Sequence, residues 1–142
     1  MKKTLVLFIG IVLLLTSCGK APIKIGFIGD LSTKNAQLAI DARNAIEIGI
    51  NEINESGGVG GRELVLIVKD DAADNQNAIN QHNEFKRDGV EYVVGHLNSS
   101  MTEPVMKSQG PDLLFVSPSM SSDALSGYDD FILRTSPINS AQ

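Results

Sequence analysis

Two short runs of hydroxyl and amide side chains are the part of the sequence best suited to binding a ligand. Asn98, Ser99 and Ser100 follow an apolar run at the start of a predicted helix. At such a position the free backbone N–H groups and the helix dipole favour an anion. A second hydroxyl cluster follows the next apolar run and consists of Ser117, Ser119, Ser121 and Ser122. Neutral donors on two neighbouring loops suit a small carboxylate.

The same residues also have a purely structural interpretation. Ser100 and Glu103 have the spacing of a capping box, in which both side chains only satisfy backbone N–H groups at the helix start. The later serines would then only stabilise a turn. The residue types alone leave the binding and the structural interpretation open.

The acidic side chains of the predicted loops do not indicate a metal or nucleotide site. Asp70, Asp71 and Asp74 lack the spacing of an EF-hand calcium loop, and Asp74 is predicted to cap a helix. Asp30 stands where a nucleotide-binding loop needs a glycine, and its charge would repel a pyrophosphate. We therefore expect neither a metal ion nor another cofactor.

The two histidines do not indicate catalysis. The sequence has no G-x-S-x-G motif, and neither His82 nor His96 has an obvious nucleophile and orienting acid nearby in sequence. His82 lies on or beside the helix face that carries Ala78 and Phe85, and it is predicted to pack at the boundary of that face. His96 follows a strand and can either border a site or hydrogen-bond its own loop. The sequence therefore favours a binding protein over an enzyme.

The elements that must position these residues alternate between strands and helices. Five apolar runs have strand length: IKIGFIG from Ile23, ELVLIVKD from Glu63, VEYVVG from Val90, DLLFVSP from Asp112 and FILRT from Phe131. Between the first two lies a predicted helix whose buried face consists of Leu38, Ala42, Ala45, Ile46, Gly49 and Ile53. Further helices are predicted from Asp74 to about Arg87 and from about Ser100 to Gln109. This alternation predicts an α/β fold with a parallel sheet flanked by helices.

Ligands of such sheets bind beyond the carboxyl ends of the strands. Both hydroxyl clusters follow strands directly, so the predicted fold brings them to the same edge of the sheet. The glycine-rich run Gly57–Arg62 instead ends a helix and precedes a strand, which is not the arrangement of a phosphate-binding loop.

The N-terminal segment has the features of an export signal. Lys2 and Lys3 precede an apolar run, Leu5–Leu15, which as a helix would reach only about 16 Å, against about 30 Å for the hydrocarbon core of a bilayer. The run ends in Leu-Thr-Ser followed by Cys18, which resembles the lipobox of bacterial lipoproteins. The resemblance implies that residues 1–17 are a signal peptide and residues 18–22 a tether. An acylated Cys18 would anchor the exported protein to the lipid bilayer, in the periplasm or on the outer face of the cell membrane.

The net charge excludes one class of partner. The whole chain has a formal charge of −5, and because residues 1–17 contain two lysines and no acid, residues 18–142 carry −7. Nucleic-acid binding requires a basic surface. We therefore expect no nucleic-acid partner.

Five segments resemble a known family in its own order: IKIGFIGDLS, AIEIGINEINESGGVGGRELVLIVKDDAADNQNA, DGVEYVVGHLNSSMTEPV, LLFVSPSMSSDAL and FILRTSP. They are similar to the substrate-binding lipoproteins of ATP-driven (ABC) importers, in the group of the branched-chain amino-acid binding proteins with the type I periplasmic-binding fold. The resemblance implies two α/β lobes that close on an amino acid and deliver it to the membrane permease subunits of the importer.

The same resemblance implies which residues bind the ligand. They are Ser99, Ser119 and Ser121 for the α-carboxylate, and Leu38, Leu97 and Asn98 for the side-chain pocket. Leu38 stands where an aromatic residue is common in the family. Ala73 and Asn98 occupy positions that some members join by a disulfide.

Members of the family are longer than this chain. The resemblance therefore implies that residues 23–142 form the N-terminal lobe of a longer receptor, whose second lobe carries the acid that pairs with the ligand amine. Two alternatives remain open at this point. A sensory receptor ectodomain would have the same fold, and an exported hydrolase would be an enzyme.

Overall fold

One sheet of five parallel strands forms the centre of the computed structural model, which describes residues 20–109, 112–127 and 131–141. The strands are β1 (Ile23–Gly29), β2 (Leu64–Asp70), β3 (Tyr92–Val94), β4 (Leu114–Ser117) and β5 (Ile132–Arg134). Their order is β2-β1-β3-β4-β5, and every neighbouring pair is parallel. The predicted α/β fold is confirmed. The predicted signal peptide and Cys18 lie outside the described residues.

Three α-helices connect the strands: α1 (Gln37–Glu55), α2 (Asn75–Arg87) and α3 (Ser99–Gln109). Short 3₁₀ turns at Asp123–Leu125 and Asn139–Ala141 follow β4 and β5. Each helix begins within ten residues of the carboxyl end of the preceding strand, so its N-terminus lies at the same edge of the sheet as that strand end. Within the described residues no helix combines the length and the hydropathy needed to cross a membrane.

The end of α1 is fixed by a glycine turn and an asparagine side chain. Gly58 has a φ of +73°, and a Cβ there would lie 2.1 Å from the Arg62 carbonyl oxygen, so only glycine fits. The Asn54 amide donates to the Leu64 carbonyl at 2.9 Å and its oxygen accepts from the Leu64 N–H at 2.7 Å. These bonds join the end of the helix to the start of β2.

The predicted buried face of α1 is wrong in part. Ala39 and Ile50 are the buried residues of this helix, whereas Leu38, Ala45 and Ile53 are exposed. The predicted Ala42, Ile46 and Gly49 are half-buried. Apolar residues occur on several faces of this helix, so their spacing fits more than one rotation about its axis. The sheet selects a face about one residue away from the predicted one.

The main core lies between the sheet and α2. It consists of Ile28, Phe85, Val90, Val93, Leu113 and Phe115, with Ile67 and Ile132 packed against it. A smaller cluster between α2 and α3 contains Ala78, Met101 and Val105. As predicted, Asp74 caps α2, because its Oδ1 accepts from the Asn77 N–H at 2.7 Å.

His82 is a packing residue, as the sequence predicted, but it is fully buried rather than at the boundary of the core. Its ring is stacked on Phe115 with centroids 5.8 Å apart, and its Nε2 lies 2.7 Å from Asp112 Oδ1. Burial lowers the pKa of His82, and the opposing effect of the Asp112 hydrogen bond and charge is smaller. Burial raises the pKa of Asp112, but hydrogen bonds from Lys86 and His82 outweigh it and the net direction is downward. The pair therefore holds a neutral imidazole beside a carboxylate.

Candidate functional site

A cleft of about 350 Å³ opens at the carboxyl ends of the strands. All six residues predicted to bind the ligand line it: Leu38, Leu97, Asn98, Ser99, Ser119 and Ser121. The sequence prediction did not include the remaining lining residues, which are Asp30, Asn35, Ala39, Asp71, Ala73 and Met101. Pockets for small molecules range from about 300 to 1,000 Å³, so the volume suits a ligand of amino-acid size.

The start of α3 presents backbone and hydroxyl donors to this cleft. Asn98 caps the helix, because its Oδ1 accepts from the Ser100 N–H at 3.1 Å and from the Ser100 hydroxyl at 2.9 Å. The capping box of Ser100 and Glu103, part of the purely structural interpretation, is therefore not formed, and Glu103 instead pairs with Lys107 at 2.5 Å. Ser99 is the first residue of the helix. Its Oγ accepts from the Ser122 N–H at 3.3 Å, so the Ser99 hydroxyl keeps its hydrogen for a ligand.

The loop after β4 is bonded directly to the loop after β3. Ser119 Oγ donates to the Leu97 carbonyl at 2.6 Å, and Ser117 Oγ donates to the His96 carbonyl at 2.8 Å. The Ser119 hydroxyl has thus used its hydrogen within the protein, but its oxygen can still accept a hydrogen bond. Ser117 is fully buried and cannot touch a ligand in the cleft.

Ser121 is oriented differently from its neighbours. Its carbonyl accepts from the Asn139 N–H at 2.9 Å, which anchors the backbone of this residue. Its hydroxyl lines the cleft and makes no hydrogen bond to any other residue in the described ranges. Ser121 and Ser99 are therefore the two hydroxyls in the cleft with a hydrogen left to donate.

The lining of the cleft also contains apolar residues. Leu38 is 61% exposed at the start of α1, and Leu97, Met101 and Ala39 lie on the same cleft. The cleft therefore offers both polar donors and apolar side chains to a ligand. The arrangement suits a small ligand with one charged end and one aliphatic end.

The acids around the first loop serve mainly to hold that loop. Asp30 accepts from the Thr33 N–H at 2.9 Å and from the Thr33 hydroxyl. Asp70 accepts from the backbone N–H groups of Leu31 and Ala72, each at 2.8 Å. Burial raises the pKa of Asp70, but these backbone bonds and the Ser32 hydroxyl outweigh it and lower the value. Within the described residues no three His, Cys, Asp or Glu side chains are grouped to hold a metal ion.

One buried contact under the cleft was not predicted from the sequence. His96 Nδ1 lies 2.8 Å from Asp71 Oδ2, and both side chains are buried. His96 therefore bonds a neighbouring loop and does not border the cleft. Asp71 directly follows β2, and His96 lies two residues after β3 in the same parallel sheet. This placement at strand ends is the sequence signal that could have predicted their contact.

Comparison with known proteins gives related results from sequence and from structure. The sequence profile of a family described as periplasmic binding protein matches residues 22–142. A leucine-specific-binding protein from Salmonella typhimurium is 34% identical over 148 residues, which cover 99% of this chain and 39% of that protein. A Leu/Ile/Val-binding protein from Escherichia coli is 34% identical over 125 residues, which cover 84% of this chain and 33% of that protein. The chain thus spans well under half the length of these relatives.

Two solved structures show the same fold. The branched-chain amino acid transporter substrate binding protein LivJ from Streptococcus pneumoniae, solved with isoleucine, has a TM-score of 0.74 and 25% identity. An ABC transporter substrate-binding protein from Desulfitobacterium hafniense, solved with Leu, has a TM-score of 0.67 and 28% identity. Each match covers 84% of this chain and 35% of the solved chain.

Proposed function

The chain belongs to the periplasmic binding protein family, and from this premise we propose that it supplies the first half of an extracytoplasmic amino-acid site that serves an ABC importer. A branched-chain amino acid is the expected ligand, and no catalysis is expected. The observation that carries the proposal is that unsatisfied serine donors and an exposed leucine line the same cleft.

The α-carboxylate is assigned to the donors at the start of α3 and after β4. Ser99 and Ser121 have hydroxyl hydrogens to donate, whereas the Ser100 and Met101 N–H groups of α3 are already bonded to Asn98. The positive end of the helix dipole adds a favourable field for an anion. Each hydrogen bond to a charged group contributes about 1.5–3 kcal/mol when water is excluded.

The α-ammonium is assigned to acceptors in the same cleft. The Ser119 oxygen can accept a hydrogen bond, since its own hydrogen is donated to Leu97. Asp30 and Asp71 also line the cleft and make the field there favourable to a cation. These carboxylates would oppose a ligand that is only anionic, so a zwitterion fits better than a simple acid.

The aliphatic side chain of the ligand is assigned to the wall formed by Leu38, Leu97 and Met101. Burial of each ligand methylene against such a wall is worth about 0.8 kcal/mol when it is complete. Asn98 lies at the boundary between this wall and the donors of α3. Its side-chain oxygen is used by Ser100, which leaves its amide hydrogens for a ligand.

The cleft is partly open to solvent, whereas small-molecule sites bury about 70–90% of the ligand surface. We therefore place a second lobe over the ligand in the working receptor, as the greater length of the relatives supports. Family membership supports export of the protein. We further propose that acylated Cys18 holds it to the membrane beside the permease subunits.

Substitution of Ser99 tests the carboxylate site. Ser99→Ala should weaken leucine binding by at least tenfold, since a hydrogen bond to a charged group is lost. Ser100→Ala is the matched control, because the adjacent Ser100 is exposed, bonds only Asn98 and does not line the cleft.

The measurement is an NMR titration of the ¹⁵N-labelled protein with L-leucine, L-isoleucine and L-valine, and with L-lysine and L-aspartate for comparison. Amide shifts at Ser99 and Ser121 with the three branched ligands would support the assignment. Absence of any shift at the solubility limit of leucine would refute it, as would equal effects of the two serine variants.

A further inference from the structure

Three buried polar side chains run beneath the floor of the cleft. Asp71, His96 and Ser117 are 2%, 0% and 0% exposed. Asp71 directly follows β2, His96 lies two residues after β3, and Ser117 ends β4. His96 Nδ1 lies 2.8 Å from Asp71 Oδ2, and the Ser117 hydroxyl donates to the His96 carbonyl at 2.8 Å. We assign the hydrogen of the first bond to Nδ1, because carboxylate oxygens are acceptors. The imidazole of His96 thus bonds Asp71 and its backbone carbonyl bonds Ser117, and the three linked residues are called here the buried chain.

We propose that His96 is a positioning residue that does not touch the ligand. Through the buried chain it holds the loops that follow β2, β3 and β4 in register. The inference rests on the proposed amino-acid site, whose donors lie on these loops. It adds supporting residues to that site. His96 and Ser117 do not line the cleft, and Asp71 lines it but is only 2% exposed.

The strand order explains why a side chain is needed for this task. Asp71 follows β2 and His96 follows β3, but β1 lies between these two strands. No backbone ladder joins β2 to β3, so the loops that follow them have no main-chain connection there. The bond from the imidazole to Asp71 therefore links loops on either side of β1. The Gly29 carbonyl at the end of β1 accepts the Asp71 N–H at 3.1 Å.

At one end the buried chain holds a strained loop. Ala72 and Ala73 have φ values of 51° and 52°, a conformation that costs a residue with a Cβ about 1 kcal/mol or more. Asp71 Oδ1 accepts the Ala73 N–H at 3.0 Å, and the Asp71 carbonyl accepts the Asp74 N–H at 2.9 Å. Ala73 itself lines the cleft. The orientation of the Asp71 carboxylate therefore fixes one wall of the site.

At the other end the buried chain positions the loop after β4, which carries the two cleft serines. Ser117 Oγ donates to His96 and accepts the Met120 N–H at 3.2 Å, which lies between the two cleft serines of that loop. A shift of His96 would therefore move Ser119 and Ser121 relative to Ser99. Binding sites lose affinity when supporting residues leave such groups loosely placed.

His82 serves as a control for the stability that is lost when a buried histidine is replaced. His82 and His96 both stack on Phe115, with centroids 5.8 and 6.0 Å away and interplanar angles of 7° and 15°. His82 also bonds an aspartate, Asp112, at 2.7 Å. His82 does not line the cleft and bonds no cleft loop. Loss of either imidazole should therefore cost similar stability, and only loss of His96 should alter the site.

Four variants test the proposal. His96→Leu removes the imidazole, and His96→Asn restores a donor near the position of Nδ1. His82→Leu is the control for stability, and Ser117→Ala breaks the far link of the buried chain with a small change of volume. Each ¹⁵N-labelled variant is titrated with L-leucine by NMR, and hydrogen exchange of the Ala73 and Met120 amides is measured without ligand.

His96→Leu and Ser117→Ala should each weaken leucine binding by roughly threefold to tenfold, the fold-change expected for one net hydrogen bond. Both should speed exchange at Met120, and His96→Leu should also speed it at Ala73. His96→Asn should recover most of the affinity. His82→Leu should lower the melting temperature while leaving leucine binding and both amides as they were.

Unchanged affinity and exchange in His96→Leu would overturn the proposal, as would an equal loss of affinity in His82→Leu. If His96→Leu does not fold, Ser117→Ala and His96→Asn decide, and unchanged Met120 exchange in Ser117→Ala overturns it. A failure of the proposed function looks different. In that case leucine shifts no amide of the unsubstituted protein, while the exchange measurements still report whether the loops are coupled.

Discussion

Leu38→Ala should weaken leucine binding without destabilising the protein. Leu38 is 61% exposed although it is apolar, and it lines the cleft. The substitution removes three carbon atoms, each worth about 0.8 kcal/mol if the ligand buried it completely. Since the cleft covers the ligand from one side, we expect about half of that sum, roughly 1 kcal/mol, or about fivefold in Kd.

The matched control is Ile48→Ala on the same helix. Ile48 is 60% exposed and does not line the cleft. Exposed substitutions of this kind change the free energy of unfolding by about 0.5 kcal/mol or less. Both variants should therefore melt close to the unsubstituted protein, and only Leu38→Ala should bind leucine less tightly.

The assay is an NMR titration with L-leucine and, separately, with glycine, which has no side chain to contact Leu38. The affinity for leucine should fall in Leu38→Ala while that for glycine stays the same. Equal losses for the two ligands would show that Leu38 shapes the loops rather than contacting the ligand. No loss for either would remove Leu38 from the site.

Three further predictions concern the whole chain. The Kd of this 142-residue chain for leucine should be about 1 mM or weaker, because an open cleft leaves much of the ligand in water while association costs several kcal/mol of entropy; saturation at micromolar leucine would refute this. Mass spectrometry of the membrane fraction should find a diacylated N-terminal peptide beginning at Cys18, and a soluble protein cleaved elsewhere would contradict the anchor. Burial lowers the pKa of His82 in the folded state, so as the pH falls below about 6.5 the unfolded state binds a proton first. The free energy of unfolding should therefore decrease from about pH 6.5 down to the lowered pKa of the folded state. Chemical denaturation at pH 7.5 and 5.5 checks this, and His82→Gln should show a smaller decrease. An equal decrease in His82→Gln would show that other groups cause it.

The strands and the edge at which the site forms could be predicted from local sequence. β1 was predicted with its observed bounds, Ile23–Gly29, because a short apolar run bounded by turn residues has few alternative structures. Parallel strands then require that their carboxyl ends lie together, which is why the two hydroxyl clusters could be placed at one edge of the sheet. The choice of the six cleft residues, Leu38 among them, came from the family resemblance. Their contact with a ligand remains a prediction.

The rotation of α1 and the cap of α3 could not be predicted in the same way. Several faces of α1 are apolar, so its rotation depends on which face the sheet covers, and that is a tertiary effect. At α3 both Asn98 and Ser100 are good capping residues, and a start one residue earlier decides between them.

The contact between His96 and Asp71 was beyond local reasoning for another reason. The two residues are 25 positions apart, and β1 separates the strands that carry them in the sheet. The sequence showed a histidine at a strand end, but its partner depends on the order of strands in the sheet.

The central place of β1 also sets the order in which this chain can fold. Ile23 pairs with Leu64, so the first strand has no partner until the chain 41 residues further on is available. Its other neighbour begins at Tyr92, opposite Ile25, 67 residues further on. Closing such loops costs entropy before any strand contact compensates, so parallel sheets of this kind form slowly. For a protein that is made from the N-terminus and exported, β1 must therefore stay unpaired and protected from aggregation while the next two strands emerge.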